Sequence, residues 1–419
     1  MIRIGKIPTK VKPFFDTLRI YFTKRQWEHF YKIVLAITIA YGRKNIKNLY
    51  RHMNAETHRQ KVNEFLTDSP WDGEEVLQET SLSILYSLKP RKGDLLEILI
   101  DPSGKGKRGS QMEAADHSYW DPIMKKTVFG HRFLMVAIMY KGVILPWKTT
   151  LIPSRDFCKS QRGRDLNLRY KTKGDIASDV LYSLPQELSL NFKIRVLFDA
   201  GLFNKKLVSA CKSKGFSFIT TAQSNRAFFP ENYKGKRKLS SYAYGVLRYE
   251  GREIRIQGSR GQKRYRVAER IGTMRGVGKV KVIFSKRLSD GNTISIVTDE
   301  LTLTPRKAVL GHRNRWNIEV LIKDFKQHLG LGDYQTGWYE GIVHHLHLVS
   351  ISYLLLIHLG IKLPSLRRNT KAGVKIVSVR NLQNHLRNII VKEQIQSCRR
   401  MTSPKNIIRK IESLFRLSA

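Results

Sequence analysis

The chain has 419 residues, with 76 Lys+Arg against 34 Asp+Glu and a formal net charge of +42. Such an excess goes far beyond what solubility needs and repels itself unless a polyanion neutralises it, so nucleic acid is the expected partner. A membrane is the weaker alternative: Met1-Ile2-Arg3-Ile4-Gly5-Lys6 does not read as a signal peptide, and the three scattered cysteines, Cys158, Cys211 and Cys398, show no zinc spacing and fit a reduced, cytoplasmic protein.

Residues 1–90 read as a helical region. Trp27 to Ala40 is an apolar run, Ile46 to Met53 a short helix, and His58 to Leu66 another. The turn Ser69-Pro70-Trp71-Asp72 then leads into a helix from about Glu74 to Leu88. Arg43, Lys44, Lys47, Arg51, Arg59 and Lys61 on these helices suit a helix-turn-helix-like DNA reader, and a helical cap packed on the next domain fits the pattern equally.

From residue 91 the period changes. Leu95 to Ile100 is a strand ending at Asp101, and Pro102 to Gly109, with its glycines, Lys105 and Lys107, reads as a loop able to approach phosphate. Phe133 to Met139 and Val143 to Ile152 form an expected hairpin around Lys141-Gly142. A helix over Asp175 to Leu184, a strand over Ile194 to Phe198 ending at Asp199, a helix over Asn204 to Lys214 and a strand over Phe216 to Thr221 complete an α/β alternation. Each aspartate alone is an ordinary turn or cap residue. Two acids at strand ends are the usual address of a site in an open α/β sheet.

Residues 224–305 read as a basic β-rich insertion. Between Arg226 and Arg287 stand 18 Lys+Arg and four acids, with Tyr242, Tyr244, Tyr249 and Tyr265 interleaved. That mix suits backbone neutralisation and base stacking. The strand candidates are Gly245–Tyr249, Glu253–Gln257, Tyr265–Ala268, Lys279–Phe284 and Thr293–Thr298.

Residues 306–361 return to helix. In HRNRWNIEVLIKDFK, residues 312–326, Arg315, Glu319 and Lys326 share one stripe at i, i+4 and i+11, and Trp316, Val320, Leu321 and Phe325 suit a core. A carboxylate between fixed cations is what a metal-dependent phosphodiester cutter needs; an exposed ion pair on an amphipathic helix is the plain alternative. Glu300 and Asp324 are weaker candidates for a third acid. In His344-His345-Leu346-His347 the first two histidines face different ways on a helix and no acid stands at a suitable spacing, so the histidines read as packing or DNA-facing residues. The apolar run Leu346 to Ile361 falls short of the ~20 residues a membrane span requires and reads as a buried helix. Residues 362–419 hold basic helices, Lys375 to Val391 and Lys405 to Leu417.

Arg315, Glu319 and Lys326 match in type and spacing the YREK signature of insertion-sequence DDE transposases, and KQHLGLGDYQT downstream resembles those families too. His312 stands at the tyrosine position, a departure from the pattern, and can still donate to phosphate. ILIDPSGKGKRG and VLFDAGLFNKK are similar to the two aspartate segments, and HRQKVNEFLTDSPWD resembles the helical leader. The resemblance implies an RNase H-like α/β catalytic core over 91–223 and 306–361. A β-rich insertion at 224–305 interrupts this core, with helical regions at 1–90 and 362–419. It implies that Asp101, Asp199 and Glu319 hold two Mg²⁺ ions about 3.5–4 Å apart, with Mn²⁺ as a substitute. His312, Arg315, Lys326, Lys105 and Lys107 would contact DNA. Double-stranded transposon ends and target DNA would be the substrates of a homodimer. A domesticated DNA-binding protein that no longer cuts, or a host RNase H-like nuclease, is the alternative.

Overall fold

The computed structural model describes residues 2–53, 58–107, 111–121, 124–231, 233, 235–258, 261–370 and 373–399, together with 403, 404, 406 and 408. The expected helix over Lys405 to Leu417 falls almost entirely outside the described residues.

The chain opens with α1 (Lys12–Asp16), α2 (Lys24–Ile39), α3 (Ile46–His52), α4 (Arg59–Thr67) and α5 (Gly73–Ser87). Local chemistry sets their starts: Thr23 and Gln26 form a capping box on α2, and Asp72 accepts from the backbone N–H groups of Glu74 and Glu75 at the head of α5. Next come β1 (Asp94–Gly106), β2 (Asp116–Asp121), β3 (Lys126–Tyr140) and β4 (Val143–Ile152). They are followed by α6 (Arg155–Lys159), α7 (Gln161–Asp165), α8 (Lys173–Tyr182), α9 (Gln186–Asn191), β5 (Phe192–Phe198), α10 (Lys205–Ser213) and β6 (Ser217–Thr221). β7 (Ala227–Pro230), β8 (Arg237–Lys238), α11 (Leu239–Glu250), β9 (Arg252–Gly258), β10 (Gly261–Met274), β11 (Gly278–Arg287) and β12 (Thr293–Thr298) lead to α12 (Pro305–Asp324). A π-helical turn, Phe325–Leu329, then joins α12 to the loop before α13 (Tyr339–Lys362). The hairpin β13 (Arg367–Thr370) and β14 (Gly373–Ile376) and the helix α14 (Val379–Arg399) follow.

The strands form one mixed sheet in the order β2-β3-β1-β5-β6-β12-β11-β10-β7-β8, with β4 paired to β3 and β9 to β10. β1, β5 and β6 run parallel, and β3 and β12 flank them antiparallel. β12, β11 and β10 therefore continue the central sheet through the pairing of Ile296 with Thr221. The basic segment is an extension of the same sheet carrying α11 and the small strands β7 to β9.

Three sequence expectations give way here. Pro102 to Gly106 is strand, paired residue for residue with Gly130 to Leu134 of β3. Its glycines make room for neighbours: a Cβ on Gly104 would fall 2.2 Å from the Tyr119 ring. Gly245 to Tyr249 lies in the helix α11, because Leu239, Ala243, Val246 and Leu247 bury one helical stripe. Lys375 and Ile376 end a hairpin, and the basic helix begins only at Val379, after Ser378 Oγ accepts from the N–H of Asn381.

α13 is long and apolar enough to cross a membrane by composition, but 83 % of its apolar window is buried inside the protein. α2, α4, α5 and β4 pack against it. Ser350 Oγ meets Thr149 Oγ1 at 3.1 Å, and Ser352 donates to the carbonyls of Leu348 and Val34. The histidines of this region serve packing: His344 bonds the Leu66 carbonyl at 2.6 Å and stacks on Trp71, and His345 bonds the Gly330 carbonyl at 3.0 Å.

Burial pushes His131 and His345 down to about 4 and His347 to about 3. A folded-state value below the unfolded one means that stability is fully present above about pH 6.5 and drains away as pH falls toward 4. Urea midpoints are expected to be flat above pH 7 and to drop between pH 6.5 and 4.5, with a shallower drop for His345→Gln. Equal slopes for the two proteins would remove His345 from the acid response.

Candidate active site

The site is built where the parallel pairing of β1 and β5 stops. Ile100 pairs with Phe198, and the next residues on the two adjacent strands are Asp101 and Asp199. Equivalent positions on neighbouring strands about 4.8 Å apart present their side chains to the same face. β1 runs on beside β3, whereas β5 turns away, with Asp199 Oδ1 accepting from the N–H of Leu202 at 3.0 Å. The divergence opens a crevice with both acids at its mouth. Asp101 therefore lies inside a strand rather than at its end.

α12 crosses this face over β1, β5, β6 and β12. Gly311 permits the close approach, since a Cβ there would sit 2.5 Å from Ile219 Cδ1. Ile318, Leu321 and Ile322 bury the underside of the helix, whereas Trp316 (61 % exposed) and Val320 (42 %) face outward and do not join the core. The stripe between those faces looks into the crevice. Arg315 reaches Asp101 Oδ1 at 3.5 Å and Glu319 Oε1 at 2.5 Å, so one guanidinium bridges two acids more than 200 residues apart in sequence. One residue earlier, Asn314 donates to Glu97 Oε2 at 2.8 Å, anchoring α12 to the same face of β1. Glu97 is buried, and burial raises its pKa. Removing its donor with Asn314→Ala is expected to cost about 1–3 kcal/mol, read from urea unfolding. A variant as stable as the parent would show that the bond does not hold α12.

Electrostatics tie the third acid to the group. Burial first, then the charges of Asp199 and Glu319, push Asp101 up to about 7, against the pull of Arg315 and Lys173. This is the signature of carboxylates crowded without enough counter-charge. Lys326, on the π-helical turn, is pushed down by burial and by Lys105, while Asp121 and Asp101 hold it up. Among the described residues no three His, Cys, Asp or Glu side chains stand close enough to cage one ion; the Arg315 guanidinium lies between Asp101 and Glu319. The donor set itself, three carboxylates repelling one another in a half-buried crevice, suits a hard divalent cation. The weaker candidates are engaged elsewhere: Glu300 pairs with Arg195 at 2.7 Å, and Asp324 lies 4.0 Å from His328.

The basic residues separate into distinct places. Lys105 and Lys326 line a groove with Glu319, Lys126 and Lys323. This groove meets a second one, lined by Arg43, at Lys105 to Lys107. Lys107 turns its ammonium inward, onto the carbonyls of Gly332 at 2.7 Å and Tyr334 at 3.0 Å and over the Tyr334 ring. It clamps the loop after the π-turn to β1. His312 lines another cavity, with Tyr244, Arg248, Arg266 and Lys286; burial, with Arg315 and Arg287 nearby, pushes it down to about 4. At neutral pH it is an uncharged imidazole. Lys173, at the head of α8, was missed by motif reading because nothing in its local sequence marks it.

A family model described as "DDE superfamily endonuclease" matches residues 13–275, more than half of the chain. The chain belongs to the DDE superfamily endonucleases. The matched stretch contains Asp101 and Asp199 and ends before Glu319, so the acid on α12 rests on the geometry described above. A relative from Microchaete diplosiphon, a probable transposase for insertion sequence element IS701, is 25 % identical over 294 residues, covering 68 % of this chain and 70 % of its own. The large mixed sheet with α12 laid across it fits an RNase H-like DDE domain.

Proposed function

We propose that this DDE endonuclease is an insertion-sequence transposase that binds the ends of its element, cuts them and joins them to target DNA. The observation that supports the reading is the Arg315 guanidinium bridging Asp101 and Glu319, with Asp199 at the neighbouring strand position and its charge acting on Asp101. Cleavage is an attack by water on a phosphodiester at the element's end that breaks the P–O3′ bond and leaves a 3′-hydroxyl. Strand transfer is the same displacement by that hydroxyl on a target phosphodiester. Asp101, Asp199 and Glu319 would hold Mg²⁺, or Mn²⁺ in its place, as a pair of ions that activates the nucleophile and stabilises the leaving oxygen.

The chain's own residues do the rest. Arg315 orients two of the acids and stands ready to accept phosphate charge as they take up cations. Lys326, Lys105, Lys126 and Lys323 lead the backbone along the groove from Glu319. The exposed Tyr244 and Tyr249 of α11 offer rings to bases. The strands β9 to β12 with α11 act as a DNA-binding extension of an RNase H-like core, as the β-rich insertion. The N-terminal helices and the basic C-terminal region hold the duplex, and a homodimer pairs two ends. Such a protein works in the cytoplasm on the nucleoid. A descendant that binds DNA without cutting has no need of three converging acids, and the likeness to a transposase weighs against a host nuclease.

The test is a DNA fragment carrying the element's terminus and its flank. Cleavage at the terminus with Mg²⁺ is expected, with binding that weakens steeply in salt at a log–log slope of about −0.9 per phosphate contacted. Binding without cleavage, with both ends and Mn²⁺ supplied, would favour the non-cutting descendant. A shallow slope would place most of the +42 charge outside the interface.

A further inference from the structure

Beside Asp199 stands a lysine that closes onto no carboxylate among the described residues. Lys173 is the first residue of α8, half-buried, behind the capping residue Thr172. Its neighbours are neutralised: Lys171 pairs with Asp179 at 2.6 Å and Lys206 with Asp175 at 2.5 Å. Lys173 itself makes no ion pair within 4 Å among the described residues.

The ammonium looks toward Asp199 over a notch left by Gly201. A Cβ on Gly201 would lie 3.2 Å from Lys173 Nζ and 3.3 and 3.5 Å from Asp199 Oδ2 and Oδ1. Asp199 Oδ1 is already engaged by Leu202, so Oδ2 is the atom left to face outward. The cation is therefore near enough to act on the acids, and its charge also lowers the pKa of Asp101, but it is not spent on any of them. A counter-ion serving only the folded state would close onto a carboxylate, as Arg315 does. A cation held open beside a carboxylate is instead disposed to meet a second anion that arrives with the substrate.

We propose that Lys173 is a phosphate-gripping residue that contacts a non-bridging oxygen of the DNA backbone at the cut, so that the phosphate is held between Lys173 and the Arg315–Lys326 side. This rests on the transposase reading. It names a positioning residue on an element that no motif of the sequence includes.

The experiment compares the full-length parent, Lys173→Met and Lys173→Arg on the DNA fragment carrying the element's terminus. Two readouts are taken: single-turnover cleavage at saturating DNA with Mg²⁺, and the salt dependence of binding with Ca²⁺ in its place. Lys173→Met is expected to slow cleavage by about 10- to 100-fold and to make the log–log salt slope shallower by about 0.9. Lys173→Arg should recover most of both, and all three proteins should melt together. Parental cleavage and slope in Lys173→Met would overturn the proposal. So would an equal loss in both variants accompanied by a lower Tm, which marks a structural role. A parent that does not cleave would overturn the transposase reading instead, and the salt slope would still decide whether Lys173 meets phosphate.

Discussion

Glu319→Gln and Asp101→Asn are each expected to lower end cleavage at least about a thousandfold, ~4 kcal/mol of transition-state stabilisation, while duplex binding persists. Both acids touch the same guanidinium, and burial, then the charges of Asp199 and Glu319, keep Asp101 short of counter-charge. An amide keeps the shape of each side chain and removes the charge that a divalent ion needs. Binding survives because the cations that meet the backbone, Lys105, Lys126, Lys323 and Lys326, remain in place, and the site has lost a negative charge. Cleavage assayed beside fluorescence anisotropy separates the two effects. A Glu319→Gln protein that cuts at the parental rate would remove α12 from the chemistry and return attention to Glu300 or Asp324.

Phe325→Ala is expected to destabilise the fold by about 3–5 kcal/mol, the usual cost of emptying a buried phenylalanine site. Phe325 is fully buried at the start of the π-helical turn, with its ring 5.4 Å from that of Tyr353 on α13. Its carbonyl accepts from the N–H of Leu331, closing the turn that carries Lys326. The same contact joins the helix of Glu319 to the buried α13, so cleavage should fall further than the loss of folded protein explains. Urea unfolding and cleavage per folded molecule measure the two parts. A loss below about 1 kcal/mol would mean that the neighbours collapse into the space.

One contact of the candidate site was legible in the sequence. Arg315 and Glu319 share a helical stripe because 3.6 residues per turn puts i and i+4 together, and the structure has them in contact. The β3–β4 turn at Lys141-Gly142 was equally local: both residues have positive φ, as a two-residue hairpin of right-handed twist requires. The failures share a cause. Gly104 and Gly106 read as loop because glycine is a poor strand former alone, but β3 and Tyr119 fill the space beside them. Trp316 and Val320 read as core because they are apolar, although the helix has only one buried side and Ile318 and Ile322 occupy it. Lys107 read as a phosphate contact because it is charged; a loop 225 residues away supplies carbonyls that turn it inward.

By itself the sequence determined the excess of positive charge, the alternation of strands and helices, and the placing of Arg315 and Glu319 on one helical stripe. The charge follows from composition, and the rest from residue patterns within single elements. Only the tertiary structure decided that Asp101 and Asp199 stand side by side where two parallel strands part and that Arg315 spans from one acid to another. It also decided that His312 belongs to a different cavity and that Lys173 faces the carboxylates over Gly201. Those relations depend on which strands pair and where α12 lies on the sheet. Burial of apolar faces over long sequence separations settles both, and no local pattern records the outcome.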